Sequence, residues 1–580
     1  MVIQNFIINA IASLGTRITH LHPSEIIIFD LAIIVIISMI LAFVAKALRQ
    51  PLIPAYVLAG LIIGPLVLGF VKNVELIQAF SEIGIAFLLF TAGLEISFRK
   101  IREANIKKIA LIAILQMVII FGIAFALKGF LDLTALQAAY IGVILAFGST
   151  MVDIKLLADS GEIVTLHGRL VLGILLFQDL IAIIAIVVFT TGGFALAPLA
   201  IAFSKLLAIL AIAMILQKFV LDRIFRFAAR STELLFLTSL GVLFLFIILA
   251  FVSEISIVIG AFIAGVSLAN SPFKVELESR ISPLRDFFAI LFFVALGMQI
   301  IFAGVGERLL LFGALLIGAF ILKPTITFIL LRVTGYRQKT SFETAASLAQ
   351  LSEFSLIIGM LGVTLGVLDM SIFSTVILAT IISMSITPYF IEYKEKAHKL
   401  FRYPLSLFKF LPTHEILQYD ATGKEETLLI GSHRVGGVFL KRLLKNREKL
   451  LVIDYNPEII KHLIDKKIPC LYGDITSPDL FSKISIKNLK TVISTIPNYR
   501  ENAYILKVIK EQNPKARVIV TGSRISETLK LYKKGADYVI TPKILAGEEL
   551  SKVITSHGPS VKKYKKMHLK NLKEVHKTFY

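Results

Sequence analysis

The stretch "LLFQDLIAI" at residues 175–183 places a glutamine and a carboxylate side by side in an otherwise apolar run. A charge at the centre of a lipid bilayer costs at least about 2.5–3.5 kcal/mol on insertion scales, so it needs a partner or a function. A partly desolvated carboxylate can hold either a proton or a cation, and the two compete for it. This competition is sufficient for cation/proton exchange, with Asp179 as the exchanging group and Gln178 as an uncharged oxygen ligand.

Two more charged residues, Lys323 and Glu353, stand near the middle of apolar runs. Each has a structural alternative: Asp179 and Lys323 could form an ion pair that only holds helices together, and Glu353 could line a cytoplasmic vestibule or brace a helix break. One cation that replaces one proton on Asp179 is electroneutral. A second titrating group, such as Lys323, would change that stoichiometry.

Two apolar segments are interrupted by small and polar residues. "LAFGSTMVDIKLL" contains Gly148, Ser149 and Thr150, and "AASLAQLSEFSLII" contains several serines. Transporters commonly break helices near the midplane, so that helix ends and freed carbonyl groups face an ion. One interrupted segment in each half of the membrane region is the pattern expected of inverted repeats.

The composition indicates a membrane protein. The 580 residues are 56% hydrophobic, with a mean hydropathy of +0.81. Apolar runs of about 20 residues with few charges predict transmembrane helices. Residues 1–23 are interpreted as an amphipathic leader, because a basic n-region and a cleavage site are lacking. Thirteen spans are predicted, over residues 24–46, 52–70, 80–97, 108–128, 135–157, 166–190, 196–218, 233–251, 254–270, 284–302, 308–332, 342–364 and 371–393.

The charge distribution predicts the orientation. Basic and nearly uncharged connections alternate along the spans, and the positive-inside rule makes the basic ones cytoplasmic. Thirteen spans then put the N-terminus outside and the C-terminal region inside. Residues 401–580 carry 33 lysines and arginines against 17 acidic residues. Next to a membrane, this excess indicates placement beside anionic lipid rather than nucleic-acid binding. The single cysteine, Cys470, excludes disulfides and cysteine-based metal sites within one chain.

The pattern changes after residue 425. Short β-rich runs such as "TLLIGS", "LLVIDY" and "RVIVTG" alternate with helix-like stretches, which predicts a parallel α/β sheet. "LLIGSHRVGG" gives Gly431, Ser432, His433 and Gly436 at a strand-to-helix turn, and Asp454 follows 23 positions after Gly431. This is the layout of a dinucleotide fold, in which glycines admit the phosphates and the acidic residue binds ribose.

The glycine pattern is incomplete, because His433 stands where the middle glycine belongs. A side chain there crowds the approach of a pyrophosphate. Either the domain binds NAD(H), AMP or ATP as a regulatory ligand, or it serves only for dimerisation and coupling. No second domain follows to hold a substrate for hydride chemistry, so we expect no enzyme activity.

The chain resembles the Kef-type potassium:proton antiporters of the cation:proton antiporter superfamily over residues 30–550. "LLFQDLIAI" is similar to their Gln-Asp motif, and "QPLIPAYVLAGLIIGP" and "SEIGIAFLLFTAGLEISFRKIR" are similar to their second and third spans. "IGAFIAGVSLANS", "ALGMQI" and "AQLSEFSLIIG" also fit. "YGDIT", with Asp474, and "GADYVITP" make the C-terminal part resemble a TrkA-N (RCK) regulatory domain.

The resemblance implies a homodimer that works by alternating access, with two broken, crossing helices. It makes Asp179 the residue that exchanges protons and cations, associates Gln178 with potassium rather than sodium, and places Ser149 and Thr150 at the first helix break. Lys323 matches a lysine of the family. Asp153 stands where an apolar residue would be usual, and it either adds a cation site or faces the cytoplasm.

The predicted fold is a polytopic all-α membrane protein of about 13 transmembrane helices plus a cytoplasmic α/β Rossmann-like domain. The predicted function is potassium:proton exchange in the cell membrane, gated by a small regulatory ligand. The alternatives are a sodium:proton antiporter, a ligand-gated potassium channel or uniporter, and a membrane-tethered nucleotide sensor. The predicted segments are a leader (1–23), an exchanger domain (24–394), a linker (395–424), a regulatory domain (425–556) and a lysine-rich tail (557–580).

Overall fold

The computed structural model divides the chain into a helical unit and a C-terminal α/β unit. It describes residues 23–71, 74–95, 106–160, 162–163, 165–191, 196–269, 271–400, 418–419, 425–432, 435–446, 449–473, 475, 478–481 and 484–555. Residues 1–22 of the leader, most of the linker, the lysine-rich tail, His433 and Asp474 lie outside these ranges.

The helical unit consists of apolar helices and half-helices in the order that the sequence predicts. Two π-helical segments each join two consecutive helices. They are Gln217–Leu221, which follows Leu216, and Gly318–Leu322, which follows Ile317. The helices are α1 Pro23–Ala47, α2 Leu52–Ile63, α3 Val74–Glu95, α4 Ile106–Ala126, α5 Ala135–Ala146, α6 Thr150–Asp159, α7 Leu166–Thr190, α8 Leu196–Leu216, α9 Asp222–Ala228, α10 Thr232–Val252, α11 Ile257–Leu268, α12 Lys274–Met298, α13 Phe302–Glu307, α14 Leu309–Ile317, α15 Lys323–Val333, α16 Gln338–Ser347, α17 Glu353–Thr364, α18 Met370–Glu392 and α19 Lys394–Leu400.

The predicted set of membrane helices is confirmed. Within the described residues, nine helical stretches are long and apolar enough to cross a membrane, and four shorter apolar helices accompany them. Each of the thirteen predicted spans overlaps one of these helices. Their outward faces carry large exposed apolar side chains, such as Phe43, Phe251 and Leu237. Such surfaces are stable only against lipid or another apolar partner.

Some predicted boundaries were wrong. The second span ends at Ile63, where Gly64 caps the helix in an extended conformation. The tenth begins at Lys274, ten residues before the predicted start. The charges of the segment "KVELESRISPLR" lower its average hydropathy, which predicts a basic loop. It is nevertheless helical, since helix formation requires good helix formers rather than apolar ones.

Small residues let two central helices approach closely. A Cβ atom on Gly93 of α3 would lie 2.3 Å from the carbonyl oxygen of Phe262, and one on Gly265 of α11 would lie 2.0 Å from that of Phe90. Both distances are impossible for a real side chain. Close backbone contact of this kind is a main source of helix association in membranes.

The α/β unit contains one seven-stranded sheet in the order β1-β4-β3-β2-β5-β6-β7. All neighbouring strands are parallel except the edge pair β1 and β4. The six parallel strands follow the doubly wound order of dinucleotide-binding folds, which confirms the predicted class. The strands are β1 Gln418–Tyr419, β2 Thr427–Ile430, β3 Leu450–Asp454, β4 Cys470–Tyr472, β5 Thr491–Ser494, β6 Arg517–Thr521 and β7 Tyr538–Ile540, and the helices α20 Val435–Lys445, α21 Pro457–Asp465, α22 Pro478–Phe481, α23 Tyr499–Gln512, α24 Ile525–Lys533 and α25 Pro542–Thr555 connect or follow them.

Candidate functional site

The first predicted interruption is a true helix break. Helix α5 ends at Ala146, Phe147 is extended with ψ 146°, and α6 begins at Thr150. The Ser149 hydroxyl accepts a hydrogen bond from the Val152 amide at 3.3 Å and so caps α6. The break therefore exposes the C-terminal end of one half-helix and the N-terminal end of another at the same level.

The second interruption is also a break. Helix α16 ends at Ser347 and α17 begins at Glu353. Ser352 caps α17 by accepting a hydrogen bond from the Phe354 amide at 3.1 Å. The Leu351 amide donates to the Ser383 hydroxyl of α18 at 3.1 Å, which holds the extended residues in place.

Lys323 joins the two breaks. Its side chain is completely buried, and its ammonium group donates to the carbonyl oxygen of Phe147 and, at 2.7 Å, to that of Gln350. Ser355 of α17 donates to the Ile144 carbonyl at 2.7 Å and completes the crossing. Carbonyls beyond a helix end lack partners and carry partial negative charge, so a cation stabilises them. The π-helical segment Gly318–Leu322 directly precedes Lys323.

Glu353 occupies the opposite ends of the half-helices. It is the first residue of α17 and only 4% exposed. The Ser352 hydroxyl donates a hydrogen bond to its Oε2 atom at 3.4 Å, and the Ser149 side chain and the Met151 amide of α6 lie near its carboxylate. Negative charge at helix N-termini is favourable. Of the two alternatives for Glu353, this geometry favours the brace of a helix break.

Asp179 lies beside the first break and is half-buried. Its Oδ2 atom accepts a hydrogen bond from the Thr150 hydroxyl at 3.0 Å. Thr150 is the first residue of α6, so Asp179 faces the N-terminal end of that half-helix. A carboxylate and a hydroxyl oxygen are thus together at a break, with part of their surface accessible.

The Gln178 side chain is completely buried and has other partners than the Asp179 side chain. Its amide oxygen accepts a hydrogen bond from the Gly148 amide at 2.9 Å, and its amide nitrogen donates to Gln116 Oε1 at 3.2 Å. Gln178 therefore braces the first break from α7. The sequence pattern does not predict a role for Gln116, although Gln116 is the one amide side chain in the apolar helix α4.

Asp153 and Gln350 form a buried pair next to Lys323, and both are fully buried. The amide nitrogen of Gln350 donates to Asp153 Oδ1 at 3.0 Å and to the Ser149 carbonyl at 3.3 Å. Asp153 therefore does not face the cytoplasm. The sequence does not predict this role of Gln350, because an amide beside a predicted break has no distinctive spacing.

The turn after β2 has the predicted dinucleotide-fold geometry. Gly431 has φ +79°, and a Cβ atom on Gly436 would lie 2.0 Å from the Gly431 carbonyl oxygen. Asp454 ends β3 and is only 5% exposed. Its Oδ2 atom accepts hydrogen bonds from the Ser432 amide at 2.7 Å and hydroxyl at 3.0 Å. Asp454 therefore stabilises the glycine turn. A bound ribose would have to donate hydrogen bonds to the same carboxylate.

No group of three histidine, cysteine, aspartate or glutamate side chains that could hold a metal ion occurs in the described part of the chain.

Comparisons with known proteins match both units. Residues 32–392 match the family model described as sodium/hydrogen exchanger, transmembrane. Residues 427–542 match the TrkA-N domain.

Individual relatives cover most of the chain. It is 30% identical over 499 residues to the glutathione-regulated potassium-efflux system protein KefC of Escherichia fergusonii. The aligned region covers 83% of this chain and 77% of that protein. The KefC protein of Escherichia coli K12 is 29% identical over 496 residues, with the same coverage. Among solved structures, the sodium proton antiporter MjNhaP1 from Methanocaldococcus jannaschii at pH 8 has a similar fold, with a TM-score of 0.50 and 16% identity over 66% of this chain and 98% of that one.

Proposed function

The chain belongs to the sodium/hydrogen exchanger family and, within it, to the Kef-type potassium:proton antiporters with a TrkA-N domain, and we propose that its exchange site is Asp179. One observation carries this proposal: a half-buried carboxylate shares a hydrogen bond with Thr150 at a helix break. Lys323, Glu353 and Asp153 are more deeply buried and are engaged by other groups at the crossing.

In the proposed cycle, the Asp179 carboxylate binds one proton in one direction and one potassium ion in the other. A proton neutralises the carboxylate on one side of the membrane, and potassium replaces it on the other side. Thr150 Oγ1 supplies a neutral ligand oxygen to the cation. Because one cation replaces one proton, the exchange is electroneutral. A charged and empty site is costly to move through a low-dielectric region, so the empty carrier does not cross and the two fluxes remain coupled.

Potassium is the proposed cation because the KefC relatives are named as potassium-efflux proteins. The alternative is sodium, as in the printed name of the archaeal antiporter with a similar fold. Since the Gln178 oxygen already accepts a hydrogen bond from the Gly148 amide, its influence on selectivity acts through the shape of the break.

We expect proteoliposomes that contain the purified chain to acidify or alkalinise when a potassium gradient is applied, with a larger response to potassium and rubidium than to sodium. A pH-sensitive dye inside the vesicles measures this response. A larger sodium response would favour the sodium antiporter. Potassium flux without a dye response would instead indicate a channel or uniporter.

We further propose that the TrkA-N domain gates the exchange by binding a small adenine-containing ligand. The turn at Gly431 and the acidic residue that ends β3 support this proposal. The protein is proposed to be a homodimer in the cell membrane with its N-terminus outside and its TrkA-N domain in the cytoplasm, in line with the basic connections on one side.

AMP, ATP, NAD or NADH is expected to raise the melting temperature of the full chain in detergent. A ligand at 100 times its Kd stabilises the native state by about 2.7 kcal/mol. Asp454→Ala should abolish this rise, whereas Glu458→Ala, at an exposed position in α21, should preserve it. Absence of any rise with all four ligands would leave the domain as a dimerisation and coupling module.

A further inference from the structure

The helix crossing holds three buried ionisable side chains: one is basic, Lys323, and two are acidic, Glu353 and Asp153. Lys323 donates to carbonyls at both breaks, and Glu353 lies at the N-terminal ends of α6 and α17. A buried charge without compensation is very unfavourable. With Glu353 and Asp153 both ionised, the three side chains would carry a net negative charge inside the crossing.

Asp153 and Gln350 each have one oxygen atom without a partner. Gln350 donates to Asp153 Oδ1, whereas Asp153 Oδ2 and Gln350 Oε1 are buried and have no hydrogen-bond partner among the residues that the structure describes. Unsatisfied buried oxygens of this kind are rare and require an explanation. Both atoms are acceptors when Asp153 is ionised, so they cannot satisfy each other in that state.

One proton removes both defects. A carboxylic acid and a primary amide form two antiparallel hydrogen bonds, in which the amide N–H donates to one carboxyl oxygen and the carboxyl O–H donates to the amide oxygen. The first of these bonds is present. We propose that Asp153 is a neutral carboxylic acid that donates from Oδ2 to Gln350 Oε1, and that this acid–amide pair fastens the two broken helices together.

The charged groups around Asp153 are consistent with a neutral side chain. Lys323 on α15 and Glu353 on α17 lie near it, and Asp179 on α7 is hydrogen-bonded to Thr150, three residues before Asp153. Within the described residues, the Lys323 ammonium makes its hydrogen bonds to the Phe147 and Gln350 carbonyls and forms no ion pair with Asp153. Asp153 therefore acts as a positioning residue, and its proton stays in place during transport.

Asp153→Asn tests the proposal, because an asparagine amide keeps both hydrogen bonds to Gln350. The variant should transport potassium within about threefold of the parent, with an unchanged pH profile, since neither hydrogen bond is lost. The matched variant Glu353→Gln should lose transport, because its amide would place N–H groups against the donors that surround Glu353.

Infrared spectroscopy of the purified protein gives an independent readout. The parent should have a carbonyl band of a protonated carboxylic acid that persists in potassium at neutral pH, and Asp153→Asn should lack it. Three results would overturn the proposal: no such band in the parent, the same band in Asp153→Asn, or an Asp153→Asn protein that is unfolded or inactive. An unfolded or inactive Asp153→Asn protein would indicate that Asp153 is ionised and forms an ion pair with Lys323 or with a bound cation. These outcomes are distinct from a failure of exchange in the parent, which would instead contradict the function proposed above.

Discussion

Asp179→Asn is expected to reduce potassium:proton exchange to the level of protein-free liposomes. The variant keeps the size of the side chain and an oxygen for the Thr150 hydroxyl, but it can neither release a proton nor neutralise a cation. The loss should be in transport and not in folding, because the half-buried asparagine keeps the hydrogen bond from the Thr150 hydroxyl. Dye-monitored exchange and the melting temperature of the same preparation separate the two effects.

Asp132→Asn is the matched control for this substitution. Asp132 lies in a loop at φ +51°, a conformation that asparagine also adopts, and its side chain is 99% exposed. Its exchange rate should equal that of the parent. Substantial exchange by Asp179→Asn would remove Asp179 from the mechanism and would direct attention to Glu353 and Asp153, the other carboxyl groups beside the breaks.

Lys323→Met is expected to abolish exchange and to destabilise the fold. The methionine fills a similar volume but leaves the carbonyls of Phe147 and Gln350 without a donor. Each unsatisfied buried carbonyl costs about 1–3 kcal/mol. The two breaks should then separate, so that Asp179 and Thr150 no longer face each other. A lower melting temperature in detergent, together with lost exchange, is the predicted result.

Lys205→Met is the control for a lysine with a different environment. Lys205 forms an ion pair with Glu254 at 3.0 Å, and the Glu254 side chain is 86% exposed. Exposed pairs contribute about 0–1 kcal/mol, so stability and exchange should change little. Lys323→Met with normal stability and a normal exchange rate would mean that the crossing does not depend on the ammonium group.

The sequence predicts the helix order and the two breaks well, because their signals are local. Hydrophobic runs identify the spans, and "FGST" and "QLSE" interrupt them. Alternating strands and helices predict the doubly wound sheet in the same way. The sequence does not predict the start of α12 at Lys274, because the charged residues at the beginning of this helix lower the average hydropathy to that of a loop.

The internal connections of the site could not be predicted. Gln116 and Gln178 are 62 residues apart, and Gln350 contacts Asp153 from a distance of 197 residues. Their pairing depends on how half-helices cross, which a single sequence does not encode in its spacing. For the same reason, the hydrogen bond from the Gly148 amide to the Gln178 oxygen could not be predicted.

Competition between potassium and a proton for the Asp179 carboxylate is tested most directly by proton release from the detergent-solubilised protein in weakly buffered solution. Addition of potassium should release about one proton per chain at saturation, because the cation displaces the proton from one carboxyl group. Asp179→Asn should release none. Potassium binding without proton release, or equal release by Asp179→Asn, would contradict exchange at this residue.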